Sequence, residues 1–217
     1  MAGVNTNRAS RPRGRPSEGA REAILLAARE LFAERDYDAV STAMIIDRAG
    51  VSRGAMYHHF GGKRELFENL YVELEDELVG RLAAAALTAA SPVAALRAGS
   101  HAYLRECGRP SDWVEINLRQ SREVLGADRW QELAADRGIG VIRATVAAAM
   151  EAGEIAADDP AVVGSIYLAA LIEAGLRVAA EAGSREAAGR TLDRLIDGLS
   201  PPPAGAGREP AASGPVQ

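Results

Sequence analysis

The chain has 217 residues, 47% of them hydrophobic but only 5% aromatic, and a formal net charge of −5. That length admits one large domain or a small one joined to a larger one, and the apolar share excludes wholesale disorder. A single cysteine, Cys107, excludes an internal disulfide and suits a reducing cytoplasm; without a basic cluster beside it, it reads as core filler in preference to a nucleophile.

The acidic total is unevenly spread. Residues 1–63 hold ten basic against seven acidic residues, and residues 64–217 fifteen against twenty-three. Basic charge therefore gathers at the end where a phosphate backbone can be met. Residues 1–16 carry Arg8, Arg11, Arg13 and Arg15 and no acid. They are expected to form a disordered basic arm, either an inert tail or one that follows DNA into a minor groove. No apolar run follows these arginines, so no signal peptide is expected. The longest apolar stretch, Ala161 to Ile172, ends at Glu173 and falls short of the roughly 20 residues of a membrane span. A soluble, cytoplasmic protein with no membrane partner is expected.

Ser17 can cap a first helix in which Ile24, Leu25, Ala28, Leu31 and Phe32 recur at helical spacing. That helix is predicted to end near Asp36-Tyr37. Short helices follow over Ser41–Ala49 and from Ser52 through Phe60. A long one runs from Lys63 to about Ala86, with Leu66, Phe67, Leu70, Leu74 and Leu78 on one face. Ser91-Pro92 breaks the run, because proline lacks the amide donor and restricts its predecessor. Further helices are predicted at Val93–Glu106, Asp112–Leu118, Asp128–Ala152, Pro160–Glu181 and Arg185–Leu199. Residues 200–217, rich in Pro, Gly and Ala, read as a disordered tail. The fold class is all-α: a three-helix helix-turn-helix domain over 17–63, then a larger helical domain over 64–199.

The stretch Ser41–Lys63, STAMIIDRAGVSRGAMYHHFGGK, carries the chemistry. Ser41 can cap the second helix while Ile45 and Ala49 pack inward. Gly50 stands where a helix-turn-helix needs positive φ, Val51 plugs the turn, and Ser52 caps the next helix. The N-terminal part of that helix is the part that reaches base edges in a major groove. Arg53 is the long donor there, and its fork suits guanine. Gly54 and Ala55 are small enough for close approach. Tyr57, His58 and His59 offer donors suited to phosphate oxygens. Lys63 sits at a helix N-terminus, against the helix dipole, and a bound phosphate there would relieve the conflict. Blander readings stand beside these: Arg53 as a solvated charge, Tyr57 as core. Adjacent histidines lack the i, i+4 spacing of a zinc pair, and Gly61-Gly62-Lys63 lacks the rest of a phosphate-binding loop.

In order and spacing the block resembles the N-terminal domain of TetR-family regulators. The matching residues are Leu31-Phe32, Tyr37-Asp38, Ile45, Ala49-Gly50-Val51-Ser52, Tyr57, His59-Phe60 and Lys63. The resemblance implies phosphate contacts by Tyr57, His59 and Lys63, base reading around Arg53 to Ala55, and backbone contacts by Ser41 or Thr42. Three positions depart from the family pattern. Asp36 replaces a helix-ending Gly and is expected to take left-handed geometry in its place. Ile46 replaces a usual Ala, and Met44 stands where an acid often completes the cap.

Residues 92–199 show no catalytic series, metal-ligand spacing or nucleotide loop, so neither an enzyme nor a cofactor is expected. The resemblance implies a ligand-binding and dimerisation domain, and Arg122–Trp130 with Gly153–Ala156 looks like a C-terminal type found in such regulators. Candidate ligand-binding residues are Tyr103, Trp113, Asn117, Gln120, Trp130 and Tyr167, aromatic and polar groups mixed as a small-molecule pocket requires; ordinary core is the alternative. Ile166, Ala170 and Ala174, with Ala188, Leu192, Leu195 and Leu199, line two helix faces that could pair in a four-helix dimer interface. Gly164 and Gly175 would allow the close approach. The expected function is a sequence-specific regulator that binds a palindromic double-stranded DNA operator as a homodimer. It is expected to act as a repressor released by an unidentified small organic ligand; a ligand-independent or activating regulator is the alternative.

Overall fold

A computed structural model describes residues 16–202 of the chain. Apart from Pro16, the expected basic arm lies outside the described residues, as does the expected tail from residue 203 on. The described residues are helical, with no strand among them. In order they form α1 (Pro16–Glu34), a 3-10 turn (Tyr37–Ala39), α2 (Thr42–Ala49), α3 (Arg53–His59), α4 (Lys63–Ala86) and α5 (Pro92–Cys107). A π-helical stretch (Val114–Gln120) then runs into α6 (Ser121–Leu125), followed by α7 (Ala127–Ala135), α8 (Gly138–Glu151), α9 (Pro160–Ala180) and α10 (Arg185–Asp197). Packing divides them into two compact units. One takes residues up to Leu74 together with Ser111–Gly126; the other takes Glu75–Pro110 and the chain from Ala127 on.

The first unit is built on the apolar stripe of α1. Ile24, Leu25, Ala28, Leu31 and Phe32 are buried, as are Val40, Ile45, Met56, Phe60 and the Leu66, Phe67, Leu70 face of α4. Phe32, Tyr37 and Phe67 meet with ring centroids 5.2–5.6 Å apart, contacts of about 0.5–1.5 kcal/mol each beyond their burial. The segment 111–126 belongs here through specific bonds. Gln120 Nε2 donates to the Phe32 carbonyl at 3.0 Å while its Oε1 accepts from the Tyr37 amide at 2.8 Å. Asn117 Nδ2 donates to the Tyr71 carbonyl at 3.0 Å, and Arg29 pairs with Asp112. Burial raises the Asp112 pKa, but the Arg29 guanidinium outweighs it and holds the carboxyl below its ordinary range.

The turn after α1 differs from the expectation. Asp36 adopts φ −58°, ψ 147°, and no non-glycine residue among those described has positive φ. An extended residue followed by the tight Tyr37–Ala39 turn, held by the Tyr37 contacts, reverses the chain without the left-handed geometry expected there.

In the second unit α5 packs against α8, α9 and α10. Its N-terminus is capped by Ser91, whose Oγ accepts from the Ala94 amide, while Glu154 accepts from both Ser91 Oγ and the Val93 amide. The single helix expected over Asp128–Ala152 is two, α7 and α8, broken at Asp136-Arg137. Gly138 and Gly140 weaken the helix there, and the Gly140 α-carbon lies so near the Ala135 carbonyl that a Cβ would stand 2.7 Å from its oxygen. Arg137 spans the break, bonding Asp76 at 2.7 Å and the Leu133 carbonyl at 2.9 Å.

Gly164 and Gly175, expected to serve contact between subunits, instead face helices of the same unit. A Cβ on Gly164 would meet Arg143 of α8 at 2.9 Å; one on Gly175 would meet Tyr103 at 2.7 Å and Cys107 Sγ at 2.9 Å on α5. Burial pushes the Cys107 thiol up to about 12, which fits core filler. At 21 residues, with a mean hydropathy of 1.6 over its most apolar window, α9 is long and apolar enough by composition to cross a membrane. Its reach exceeds the Ala161–Ile172 run, which by itself is too short for a span. Its glycines and Tyr167 are spent on packing inside the unit.

Gly175→Ala should force Tyr103 or Cys107 aside and destabilise the protein by about 1–3 kcal/mol, read from the midpoint of denaturant unfolding. An unchanged midpoint would show that the α5–α9 contact yields freely.

Candidate nucleic-acid interface

Each helix of the pair α2–α3 begins at a serine and the first ends at a glycine. Ser41 Oγ accepts the Met44 amide at 3.2 Å, and Ser52 Oγ accepts the Ala55 amide at 3.1 Å, each cap contributing about 1 kcal/mol. Between them Gly50 adopts φ 64°, ψ 31°. Its amide donates to the Asp47 carbonyl at 3.2 Å and that of Val51 to the Ile46 carbonyl at 3.3 Å, the paired bonds of a Schellman turn. The Ser41 bond completes the cap although Met44 supplies no acid. Ile46, the other departure from the pattern, is half-buried.

The seven residues of α3 divide cleanly. Met56 is buried and Phe60 follows it inward, while Ser52, Arg53, Gly54, Tyr57 and His58 are exposed and Ala55 and His59 half-buried. Tyr57 is 44% exposed, which overturns the alternative that it is core. The Arg53 guanidinium lies 5.5 Å above the Tyr57 ring, so stacking along the helix face holds the fork in place. The His58 and His59 rings stand 5.1 Å apart, edge to face. Nothing in the protein requires a glycine at 54: a Cβ would meet only Ser52 Oγ, at 3.8 Å. Thr42, half-buried at the start of α2, borders the hollow between the two helices with Gly50 and Arg53.

Lys63 is placed differently from the expectation. Its ammonium turns inward, donating to the Tyr37 carbonyl at 2.8 Å and the Val40 carbonyl at 2.9 Å, and sits 3.9 Å from the Tyr37 ring centre. The anion at the α4 N-terminus is already present as Glu65, which accepts the Gly61 amide at 3.0 Å. Lys63 is thus an anchor for the loop between α1 and α2, and no conflict with the helix dipole is left for a phosphate to relieve.

Other cations are also spent inside the unit. Arg21 bonds Glu73 and Asn69 at 3.3 and 3.2 Å, Arg48 pairs with Glu30 at 2.9 Å, and Arg29 pairs with Asp112. Among the described residues up to 63, Arg35 and Arg53 are the basic groups left to face outward.

The candidate ligand residues do not gather. Trp113, Asn117 and Gln120 belong to the first unit, where Asn117 and Gln120 bond to backbone. In the second unit an apolar cavity of about 130 Å³ opens among α4, α5, α8 and α9. Tyr103 lines it; Tyr167 stands one bond behind, sharing a 2.7 Å hydrogen bond with the wall residue Ser100. Trp130 is not on its wall. Leu78, Leu82, Leu96, Val141, Ile142 and Leu171 are among its wall residues, with Glu75 as the charged member. At helical spacing these aliphatics read as core; the signal available in the sequence was Gly99, a mid-helix glycine on the cavity face whose Cβ would meet nothing within 4 Å.

Of the candidate dimer residues, Leu192 is 2% exposed and so buried within its own subunit, which removes it from any contact face. Ile166 is 67% and Leu195 46% exposed, with Val162 alongside; Ala170, Ala174, Ala188 and Leu199 are half-buried.

A capped helix pair joined by a tight glycine turn, with a short second helix exposing Arg53, Gly54 and Tyr57, defines a helix-turn-helix DNA-binding protein. The family profile "Bacterial regulatory proteins, tetR family" matches residues 24–70, and "Tetracyclin repressor-like, C-terminal domain" matches residues 93–199. The chain belongs to the TetR family of DNA-binding transcriptional regulators. The HTH-type transcriptional repressor AcnR of Corynebacterium efficiens is 27% identical over 176 residues, 80% of this chain and 88% of AcnR. The HTH-type transcriptional activator FasR of Mycolicibacterium smegmatis is 36% identical over 113 residues, which cover 52% of this chain and 48% of FasR. The crystal structure of a TetR-family transcriptional regulator from Pectobacterium atrosepticum is 28% identical, with a TM-score of 0.70 over 88% of this chain and 100% of that one.

Lys63→Ala should lose about 2 kcal/mol of stability with its two charge-assisted bonds, measured by urea titration, and weaken binding to specific and random DNA by the same factor. Unchanged stability would remove the anchoring role.

Proposed function

We propose that this regulator binds a two-fold-symmetric operator as a homodimer in the cytoplasm, represses transcription there, and is released by a small, mostly apolar ligand. The exposed face of α3 carries the reading. One seven-residue helix touches too few bases for specific binding, so two copies on paired half-sites are needed. Arg53 reads a guanine edge, Gly54 and Ala55 let the helix approach, and the Tyr57 hydroxyl with His58 and His59 meets phosphates. Ser41, Thr42 and Ser52 support the helix ends against the backbone. Val162 and Ile166 of α9 and Leu195 of α10 offer the apolar surface for pairing, with Ala170, Ala174, Ala188 and Leu199 at its margins.

The cavity supports the ligand. Its volume is comparable with the ~150 Å³ that accepts a benzene ring in an engineered protein core. A compact ring compound with one donor group suits it, the donor meeting Glu75 or the Ser100 hydroxyl. Release needs only that the ligand bind better to a conformation with misplaced recognition helices. The helix α4 supplies a covalent path: its Glu75–Ala86 part walls the cavity, and its first turn carries Lys63. No catalytic role is assigned to the chain. The likeness to FasR favours a second reading, activation, since the sign of control depends on where the operator lies.

Selection of bound fragments from genomic DNA tests the operator. Palindromic sites should emerge, and Arg53→Ala should abolish preference for a guanine at one position per half-site, a loss of about 1–3 kcal/mol; fragments without symmetry would refute the dimeric reading. Gly99→Leu should fill the cavity. Wild type should be stabilised by small phenols in a thermal-shift series and lose operator affinity with them, while the variant should hold DNA and ignore them. A phenol response that survives the substitution would place the ligand elsewhere.

A further inference from the structure

The part of the chain after residue 63 is acidic, yet one surface hollow of the second unit is basic. His101 and Arg105 of α5 and Arg185 and Arg190 of α10 line a space of about 350 Å³, with Glu186 as the one acid on its wall. The two helices are close here. A Cβ on Gly189 of α10 would lie 2.8 Å from the His101 ring, and Asp193, one turn further along the same helix, fixes the ring at 3.0 Å from its Nε2. Side chains from both helices are thereby directed into the same space.

Three features make the hollow receptive to an anion. Arg105 and Arg185 make no ion pair or hydrogen bond among the described residues, whereas Arg81, Arg97, Arg129 and Arg137 of the same unit are paired. Glu186 is matched only by a long, exposed contact of 3.8 Å to Arg190, so three guanidiniums face one carboxylate. Arg185 and Glu186 also open α10, whose capping residue Ser184 makes no side-chain cap bond and keeps its Oγ buried without a partner. The positive end of the helix adds to the field of the arginines.

We propose that this hollow binds a compact polyphosphate group, at a site distinct from the apolar cavity. Guanidinium forks match the several oxygens of such an anion, and clustered like charges that repel one another when empty are relieved by it. The anion enters free or as the charged end of a larger molecule.

Inorganic pyrophosphate and adenosine diphosphate, titrated calorimetrically into the full chain at constant ionic strength, distinguish the two sources. Saturable binding is expected, equal for both if the free anion suffices and tighter for the nucleotide if a carrier contributes. Because Arg105 and Arg185 are exposed and unpaired, Arg105→Gln with Arg185→Gln should leave the melting temperature and operator binding unchanged while lowering affinity at least about tenfold. No saturable binding, or equal affinity in the double variant, overturns the proposal. Either result leaves the operator and cavity readings untouched, since neither uses these residues.

Discussion

Two carbonyls in the loop between α1 and α2 converge on the ammonium of Lys63, and the placement of the helix-turn-helix depends on that convergence. The loop carries no left-handed residue to fix its reversal. It is held from one side by Lys63, which bonds the carbonyls of Tyr37 and Val40, and from the other by Gln120, which takes the Tyr37 amide. Tyr37 completes the clamp by lying under the ammonium and against Phe32 and Phe67. With the loop fixed, Ser41 is set to cap α2, and the Gly50 turn transfers that placement to α3. A polar clamp of this kind specifies one arrangement where apolar packing alone would accept several.

The same clamp alters the electrostatic account. Basic residues near the N-terminus read in the sequence as a phosphate-binding surplus, but Arg21, Arg29, Arg48 and Lys63 are consumed in holding the small unit together. A domain this size buries little apolar surface, and charge-assisted bonds across its edges supplement the core. Among the described residues up to 63, the arginines left outside such pairs are few, Arg35 and Arg53, and both are exposed.

The fold was legible wherever a signal was local. The Gly50 turn, the Ser41 and Ser52 caps and the limits of α4 follow from residue types a few positions apart, and the structure places them as expected, whereas Ser17, expected to cap α1, lies inside it. What failed was long-range. Nothing local in Gln120 reveals that its amide spans two backbone groups 83 and 88 residues away, so it read as a pocket residue. Leu78, Leu96 and Ile142 obey helical spacing whether they fill a core or wall a cavity. Gly164 and Gly175 announced close helix approach correctly; the sequence had no means of saying which helix approaches. The break before Gly138 was missed because periodicity persists across it while the backbone does not.

Cys107 sits where α5 and α9 come closest, beside the ring of Tyr103 and the bare backbone of Gly175. Protonated and enclosed, it is a poor target for oxidants. The same enclosure makes the thiol a built-in clock. An alkylating reagent can reach it only while the two helices are parted, so its rate of modification counts openings of the second unit one molecule at a time, with no label added to the chain.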